Sequence, residues 1–284
     1  MTHSVKLSLI IAGALCSIGL ILFGIAFAMA DFVIRQLSSE KYEVNDYSVE
    51  ASFDEIEILS DISDITFTLS EDGMCRVLCH EREKLKHEVT VEDGRLIIRE
   101  EDTRKWYDYI SFFSFGDARV TVYLPKAQFD ALTVSVDTGD IRIPKSISFD
   151  HVEIKTSTGD VNVHGSARME RIQITTSTGE IEIENVLCAE IILKTSTGDV
   201  ELRNTVADAF LQVQTSTGDV EFERFDAPVI TVKTSTGDVE GTLLSSKRFN
   251  VDTSTGDVEV PDDEGDQTCS ITTSTGDVEI DVIR

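Results

Sequence analysis

The sequence is poor in positive charge and proline. Its 284 residues contain 25 Lys and Arg against 52 Asp and Glu, for a formal net charge of −27, and only 4 prolines. Because nucleic-acid phosphates demand a basic surface, this balance argues against a nucleic-acid partner. The acidity suits a soluble exterior and cationic partners.

The cysteines and histidines form no pattern typical of a disulfide, a metal site or a catalytic site. Cys75 and Cys79 are four residues apart on an expected strand, too far for a disulfide, which needs Cα atoms within ~7 Å. No metal-type spacing is present, so we interpret the five cysteines as buried thiols. The five histidines are scattered and no serine sits in a nucleophile motif. We predict that the protein is not an enzyme; a carbohydrate-active enzyme on a β-helix is the alternative.

The dominant feature is a repeat of Thr-Ser-Thr-Gly-Asp-Val and near copies. Its glycines are 19 or 20 residues apart and occur at Gly139, Gly159, Gly179, Gly198, Gly218, Gly237, Gly256 and Gly276. An internal period of this size is typical of a solenoid. We therefore predict an all-β fold, a single-stranded β-helix-like solenoid of ~19–20-residue coils stacked ~4.8 Å apart.

The apolar alternation changes phase at each glycine. Leu211 and Val213 precede Gly218 at odd offsets, whereas Val220 and Phe222 follow it at even offsets. A one-residue slip turns every side chain of a strand to the other face, so the glycine must occupy a corner or a bulge where φ > 0 is useful. A third apolar cluster follows in several copies and predicts three short walls per coil; it comprises Val186 and Leu187, Val206, Phe225 and Leu243.

The alternation of inward and outward side chains along a strand also predicts where the repeat threonines point. Thr215 and Thr217 follow the apolar Val213 by two and four positions, so both should face inward and Ser216 outward. Inward threonines argue against an ice-binding face built from threonine rows.

We divide the chain into five segments. These are a tail at 1–6, a membrane anchor at 7–30, a linker at 31–50, degenerate coils at 51–130 and regular repeats at 131–284. The uncharged run of the anchor exceeds the ~20 residues that cross a bilayer. A cleaved signal peptide ending at Ala28-Met29-Ala30 is the alternative. We favour a single-pass protein of the cell membrane with an extracytoplasmic C-terminal domain.

The N-terminal region contains three recognisable pieces. Residues 54–69 match the repeat with Ser63 in the glycine position, which predicts a decayed first coil. Residues 89–98 predict a hairpin that turns at Asp93-Gly94. The aromatic segment 104–115 is interpreted as a loop over the solenoid or as a membrane or partner contact. Its candidate contact residues are Trp106, Tyr107, Tyr109, Phe112 and Phe113.

Two acidic rows should lie on one outer face. Like charges ~4.8 Å apart repel by roughly 1 kcal/mol per pair even in water, so turn amides, solvent or cations must offset the repulsion. A solvated face is the main interpretation, and weak Ca²⁺ binding is the alternative; no other cofactor is predicted. The candidate ligands are Asp199, Glu201, Asp219, Glu221, Asp238, Glu240, Asp257 and Glu259.

The end of the sequence, 280–284, follows a full repeat directly. We expect this C-terminal coil to be an open edge and hypothesise a homodimer through it.

The Val-x-Val-x-Leu-Pro stretch at 120–125, the degenerate coil at 54–69 and the Gly-Asp-Ile/Val coils from Gly139 resemble a known family. It is the bacterial putative-adhesin family of β-strand-repeat proteins (domain of unknown function 4097). The resemblance implies a β-solenoid that often follows a membrane span, with no active-site residues to carry over. It favours a structural or adhesin-like role at the cell envelope, with envelope proteins or glycans as partners; an envelope-stress or sensory accessory protein is the alternative.

Overall fold

The computed structural model describes residues 42–103, 118–165, 167–262 and 265–283, with Gly19 as an isolated residue. These four ranges contain strands and no helix. Among the described residues, no helix has the length and apolar character needed to cross a membrane. The predicted anchor at 7–30 and the aromatic segment at 104–115 lie outside the described residues.

Twenty-three strands make up the described structure and form one continuous sheet. The first seven are β1 (Tyr42–Val49), β2 (Glu55–Ile62), β3 (Asp64–Leu69), β4 (Cys75–Arg82), β5 (Leu85–Glu92), β6 (Arg95–Asp102) and β7 (Arg119–Leu124). The regular repeats form β8 (Gln128–Thr138), β9 (Ile141–Ile143), β10 (Ser148–Thr158), β11 (Val161–His164), β12 (Arg168–Thr175), β13 (Ile181–Glu184), β14 (Leu187–Lys194), β15 (Val200–Arg203), β16 (Val206–Gln214), β17 (Val220–Phe225), β18 (Val229–Lys233), β19 (Val239–Leu243), β20 (Lys247–Thr255), β21 (Val258–Glu259), β22 (Gln267–Thr275) and β23 (Val278–Val282).

Each repeat is a coil of two strands, one before and one after its glycine. Strands before the glycine stack in parallel on one another, as β10 does on β8 and β12, and strands after it do the same. The structure has two strands per coil, and the third apolar cluster of the sequence lies at strand ends. Leu187 opens β14 and Val206 opens β16, whereas Phe225 closes β17 and Leu243 closes β19.

The glycine corners are confirmed and have a steric cause. Gly218 has φ of +147°, and a Cβ built there would lie 2.1 Å from the carbonyl oxygen of Gly198 in the adjacent coil. Gly198 stands in the same relation to Gly179. The repeat glycines thus form a column in which backbone packs directly on backbone, and no side chain fits between.

The inward prediction holds for the first threonine of most repeats, with Thr253 only partly buried, and fails for the second. Thr215 is buried and its hydroxyl donates to the carbonyl of Gly198 at 3.5 Å, but Thr217 is exposed. The regular strand β16 ends at Gln214. In this coil the regular strand ends before the second threonine, so strand alternation no longer directs Thr217 inward.

The chain order of the coils differs from their order in space at both ends. The coil of β2 and β3 stacks on β8 and β9, as the match at 54–69 predicted, but the coil of β6 and β7 stacks on its other side. The decayed coil is therefore not the first in space. Strands β4 and β5 pair antiparallel with β7 and β6, β1 pairs with β4, and together the three strands close this end.

The C-terminal coil is likewise inserted. Strand β22 pairs with β18 on one side and β20 on the other, and β23 lies between β19 and β21. The expectation of an open edge at the C-terminal coil is wrong, because the coil of β20 and β21 covers it. The hypothesis of a homodimer through that coil thereby loses its structural basis.

The core is a set of apolar ladders along the solenoid axis, and the hairpin and cysteine predictions are confirmed in it. Strands β5 and β6 pair antiparallel around Asp93 and Gly94, both of positive φ. The four described cysteines are buried and free, and Cys269 occupies an apolar ladder as expected.

Candidate functional sites

The residues that follow the glycine column form the aspartate row, which is held by backbone amides. The Oδ1 atom of Asp199 accepts a hydrogen bond from the N–H of Asp219 at 2.8 Å, and that of Asp219 accepts from Asp238 at 2.8 Å. The degenerate coil joins the row, since Asp64 accepts from Asp140 at 3.0 Å. Hydrogen bonding to the charged form favours a carboxylate, so these amides offset the repulsion along the row.

The row is interrupted where a glutamate replaces aspartate. Glu180 donates its own N–H to Asp160 at 2.9 Å. Burial raises the pKa of the Glu180 carboxyl, and the neighbouring charges of Asp160, Glu182 and Asp199 raise it further. At the one position of the row with a longer side chain, burial and neighbouring like charges thus both disfavour the ionised carboxyl.

Two residues further on lies the glutamate row, whose members are exposed except for the half-buried Glu182 and the buried Glu201. Its members are Glu182, Glu201, Glu221, Glu240, Glu279 and Glu259 in spatial order. Arg203 neutralises one stretch, because its guanidinium contacts Glu201 and lies 2.7 Å from Glu182 and 3.4 Å from Glu223. Burial raises the pKa of Glu201, and the Arg203 charge opposes that shift.

Of the eight predicted cation ligands, Glu201 is buried and the other seven are exposed, with the Asp and Glu residues in adjacent rows. Within the described ranges, the one group of three or more Cys, His, Asp or Glu ligand atoms within 4.8 Å of one another is Cys79, Glu81 and His87. The acidic rows thus spread their charge along the axis, and a cation on them stays a prediction.

Sequence reasoning missed a buried polar cluster in the closed end of the solenoid. This cap cluster comprises Asn45, Ser60, Glu81, His87 and Glu100, from five different strands. Glu81 is 1% exposed; its Oε1 accepts from the Asn45 amide at 2.5 Å, and its Oε2 lies 2.7 Å from His87 Nδ1. The only sequence signal was a charged residue, Glu81, at an inward position of β4.

The cap cluster has the order of groups seen in hydrolytic triads, but not their hydrogen bonding. Ser60 Oγ is 3.3 Å from His87 Nε2, yet it donates to Glu100 Oε2 at 2.5 Å. A nucleophilic serine must give its proton to the imidazole. The cavity beside the cluster, lined in part by Ser63, has room for about one water molecule. The geometry suits a hydrogen-bond network that holds the cap on the solenoid.

The same cluster is poorly disposed toward a metal ion. Both oxygens of Glu81 already accept hydrogen bonds, including one from the His87 backbone N–H at 2.6 Å. A metal-bound cysteine must be a thiolate. Burial raises the pKa of the Cys79 thiol to about 12, and the nearby Glu81 charge adds to the effect. The trio is therefore a satisfied structural network.

Fold and surface together define a class: a parallel β-solenoid with two-strand coils, an antiparallel cap and an acidic outer wall. The family model of Toastrack DUF4097 matches residues 53–210 and 189–283, and the chain belongs to that family. No curated protein matches the chain.

Several solved structures are similar to the chain at low sequence identity. The structure of a putative adhesin from Parabacteroides distasonis is 15% identical, with a TM-score of 0.54 over 85% of this chain and 98% of that chain. A putative adhesin from Parabacteroides merdae is 13% identical, with a TM-score of 0.49 over 86% and 97%. A putative lipid binding protein from Parabacteroides distasonis is 13% identical, with a TM-score of 0.45 over 86% and 98%. The first of these supports the fold.

Proposed function

We propose that the protein is an adhesin-like interaction module of the cell envelope. Its solenoid stands outside the cytoplasm, and the segment Leu7–Ala30 anchors it in the membrane. The observation that carries the proposal is the acidic wall: six glutamates in constant parallel register, on a backbone fixed by the glycine column and aspartate row. Such a rigid, predominantly acidic surface, neutralised locally by Arg203, attracts cationic partners and engages them at many points.

Two further facts support this role. Of the three solved structures compared above, the one with a TM-score above 0.5 is itself described as a putative adhesin. The cap cluster, which is the most reactive-looking group of side chains in the described residues, is occupied in holding strands together. Envelope proteins or glycans that carry positive charge are the partners that this surface suits.

The anchor and the surface are tested separately. The full chain with a C-terminal tag should resist carbonate extraction from bacterial membranes, and protease added to spheroplasts should remove the tag. A variant that lacks residues 7–30 is the control and should leave the membrane fraction. Release of the mature protein with a new N-terminus at Asp31 would show a cleaved signal peptide instead.

The surface is tested by capture from native envelope extracts. Replacing Glu221, Glu240 and Glu279 by Gln should reduce capture of basic partners, since it removes three consecutive charges of the glutamate row. Three Glu→Gln changes at Glu50, Glu71 and Glu88 change net charge equally and lie away from the wall. Equal capture by both triple variants would contradict a role for the glutamate row.

A further inference from the structure

The end of the solenoid opposite the cap is an unpaired strand edge. Strand β20 pairs with β22 on one side, and no described strand pairs with its other side. The core is also incompletely covered there: Phe249 and Val251 are only partly buried, and Val258 is 47% exposed. An edge of this kind is a template for another strand.

The hydrogen-bond phase of the ladder shows which residues present backbone groups at this edge. The carbonyl of Thr272 accepts a hydrogen bond from the N–H of Thr234, so the backbone groups of Thr272 point toward β18. In a parallel ladder, the backbone N–H and C=O groups of paired residues point in the same direction. Asp252 pairs with Thr272, so the backbone groups of Asp252 point toward β22. Successive residues alternate, which leaves the N–H and C=O groups of Val251 and Phe249 on the open side.

We propose that this edge binds the same edge of a second copy of the chain, antiparallel, with the two-fold axis at Asn250. In that register Phe249 lies opposite Val251 of the second copy, and the two residues exchange backbone hydrogen bonds. Arg248 lies opposite Asp252 of the second copy on the outer face. Aromatic–β-branched and opposite-charge cross-strand pairs both stabilise a sheet.

The charges select this register. Arg248 and Asp252 are both exposed and stand two residues either side of Asn250. An axis at Val251 would place Asp252 opposite Asn250, and an axis at Phe249 would place Arg248 opposite Asn250, so neither forms an ion pair. The two-fold arrangement uses each open edge once and closes after two chains.

The proposal rests on the edge of β20 alone and does not require the proposed function. If that function also holds, the dimer joins two solenoids at the ends opposite their caps. Two copies anchored in facing membranes would then bind each other through these ends.

The test is sedimentation of the detergent-solubilised full chain across a concentration series up to tens of micromolar. The parent should show a monomer–dimer equilibrium. Arg248→Asp and Asp252→Arg should each weaken the dimer by about tenfold, because the two-fold places each like-charge contact twice. The double variant, Arg248→Asp with Asp252→Arg, should restore it. Both side chains are exposed, and circular dichroism verifies that each variant is folded.

A second measurement fixes the axis. Asn250→Cys should form a disulfide-linked dimer under mild oxidation, since the two sulfurs meet at the axis, whereas Ser254→Cys, also on the exposed face of β20, should not. A parent that stays monomeric throughout the series overturns the proposal. Failure of the double charge swap to restore the dimer, or equal crosslinking at both cysteine positions, overturns the register.

Discussion

At the scale of single residues, the repeat glycines owe their place to backbone contact as much as to conformation. We expect Gly218→Ala to destabilise the fold by about 2–4 kcal/mol, because it adds a clash with the Gly198 carbonyl to an unfavourable positive φ. Gly73→Ala is the control: its φ is +75°, with nothing within 4 Å of the added Cβ. Its cost should be about 1 kcal/mol. Denaturant unfolding of both variants measures the difference, and equal losses would contradict the steric column.

The cap cluster makes stability sensitive to acid. Burial raises the pKa of Glu81, but hydrogen bonds from His87 and Asn45 outweigh burial, and the pKa of this carboxyl lies below its usual value of 4.5. A depressed folded-state pKa contributes stability that is present above the unfolded pKa and is lost as pH falls through the folded value.

We therefore expect the melting temperature of the parent to fall as pH drops below ~4.5, and that of Glu81→Gln to fall less. At neutral pH the variant should be less stable by about 1–3 kcal/mol, because an amide cannot accept from all the buried donors that contact the Glu81 carboxylate. Glu88→Gln, at an exposed position, is the control. Identical acid profiles of parent and Glu81→Gln would refute a role for Glu81 in acid sensitivity.

At the scale of the strand and its corner, the aspartate row predicts a contrast between acceptor and charge. Asp219→Ala removes the acceptor for the Asp238 amide and should cost about 1 kcal/mol. Asp219→Asn retains an oxygen acceptor and relieves repulsion, so it should be close to neutral. Thermal unfolding of the two variants distinguishes hydrogen bonding from charge.

The same row yields a metal test. Because backbone amides already hold the aspartates, we expect millimolar Ca²⁺ to leave the melting temperature unchanged. A rise that the triple Asn variant of Asp199, Asp219 and Asp238 abolishes would instead establish cation binding by linkage.

The ends of the strands show why alternation in the sequence predicted inward-facing side chains correctly within strands and wrongly at corners. Leu211 and Val213 face the core as alternation predicts, and the Asp93-Gly94 turn forms where its residues favour positive φ. Thr217 does not follow, because the chain leaves the strand before it. Alternation is a property of extended backbone only, and nothing in the repeat states where extension stops.

At the scale of the whole molecule, the inserted C-terminal coil is directly testable. Glu240 is the register neighbour of Glu279, and Glu279 is the neighbour of Glu259. A double cysteine variant at Glu240 and Glu279 should crosslink, since stacked Cα atoms lie ~4.8 Å apart. A pair at Glu240 and Glu259 is separated by a whole coil, roughly 10 Å, and should not. Crosslinking of the second pair alone would mean that the coils stack in chain order.

The sequence by itself determined the coil. Its period of 19 or 20 residues, its alternating apolar residues and its glycine corner are local properties, present within one repeat and repeated along the chain. The acidic wall follows from the same pattern, because each residue has one fixed position around the coil.

Only the tertiary structure decided the order of the coils and what lies at their ends. Near-identical repeats present near-identical ladders, so local sequence does not distinguish one stacking neighbour from another, and long-range pairing places β22 between β18 and β20. The cap cluster has the same origin: Ser60, Glu81 and Glu100 come from three separate strands that meet only when the antiparallel cap closes. The open edge at β20 exists because the last coil of the chain is not the last coil of the solenoid.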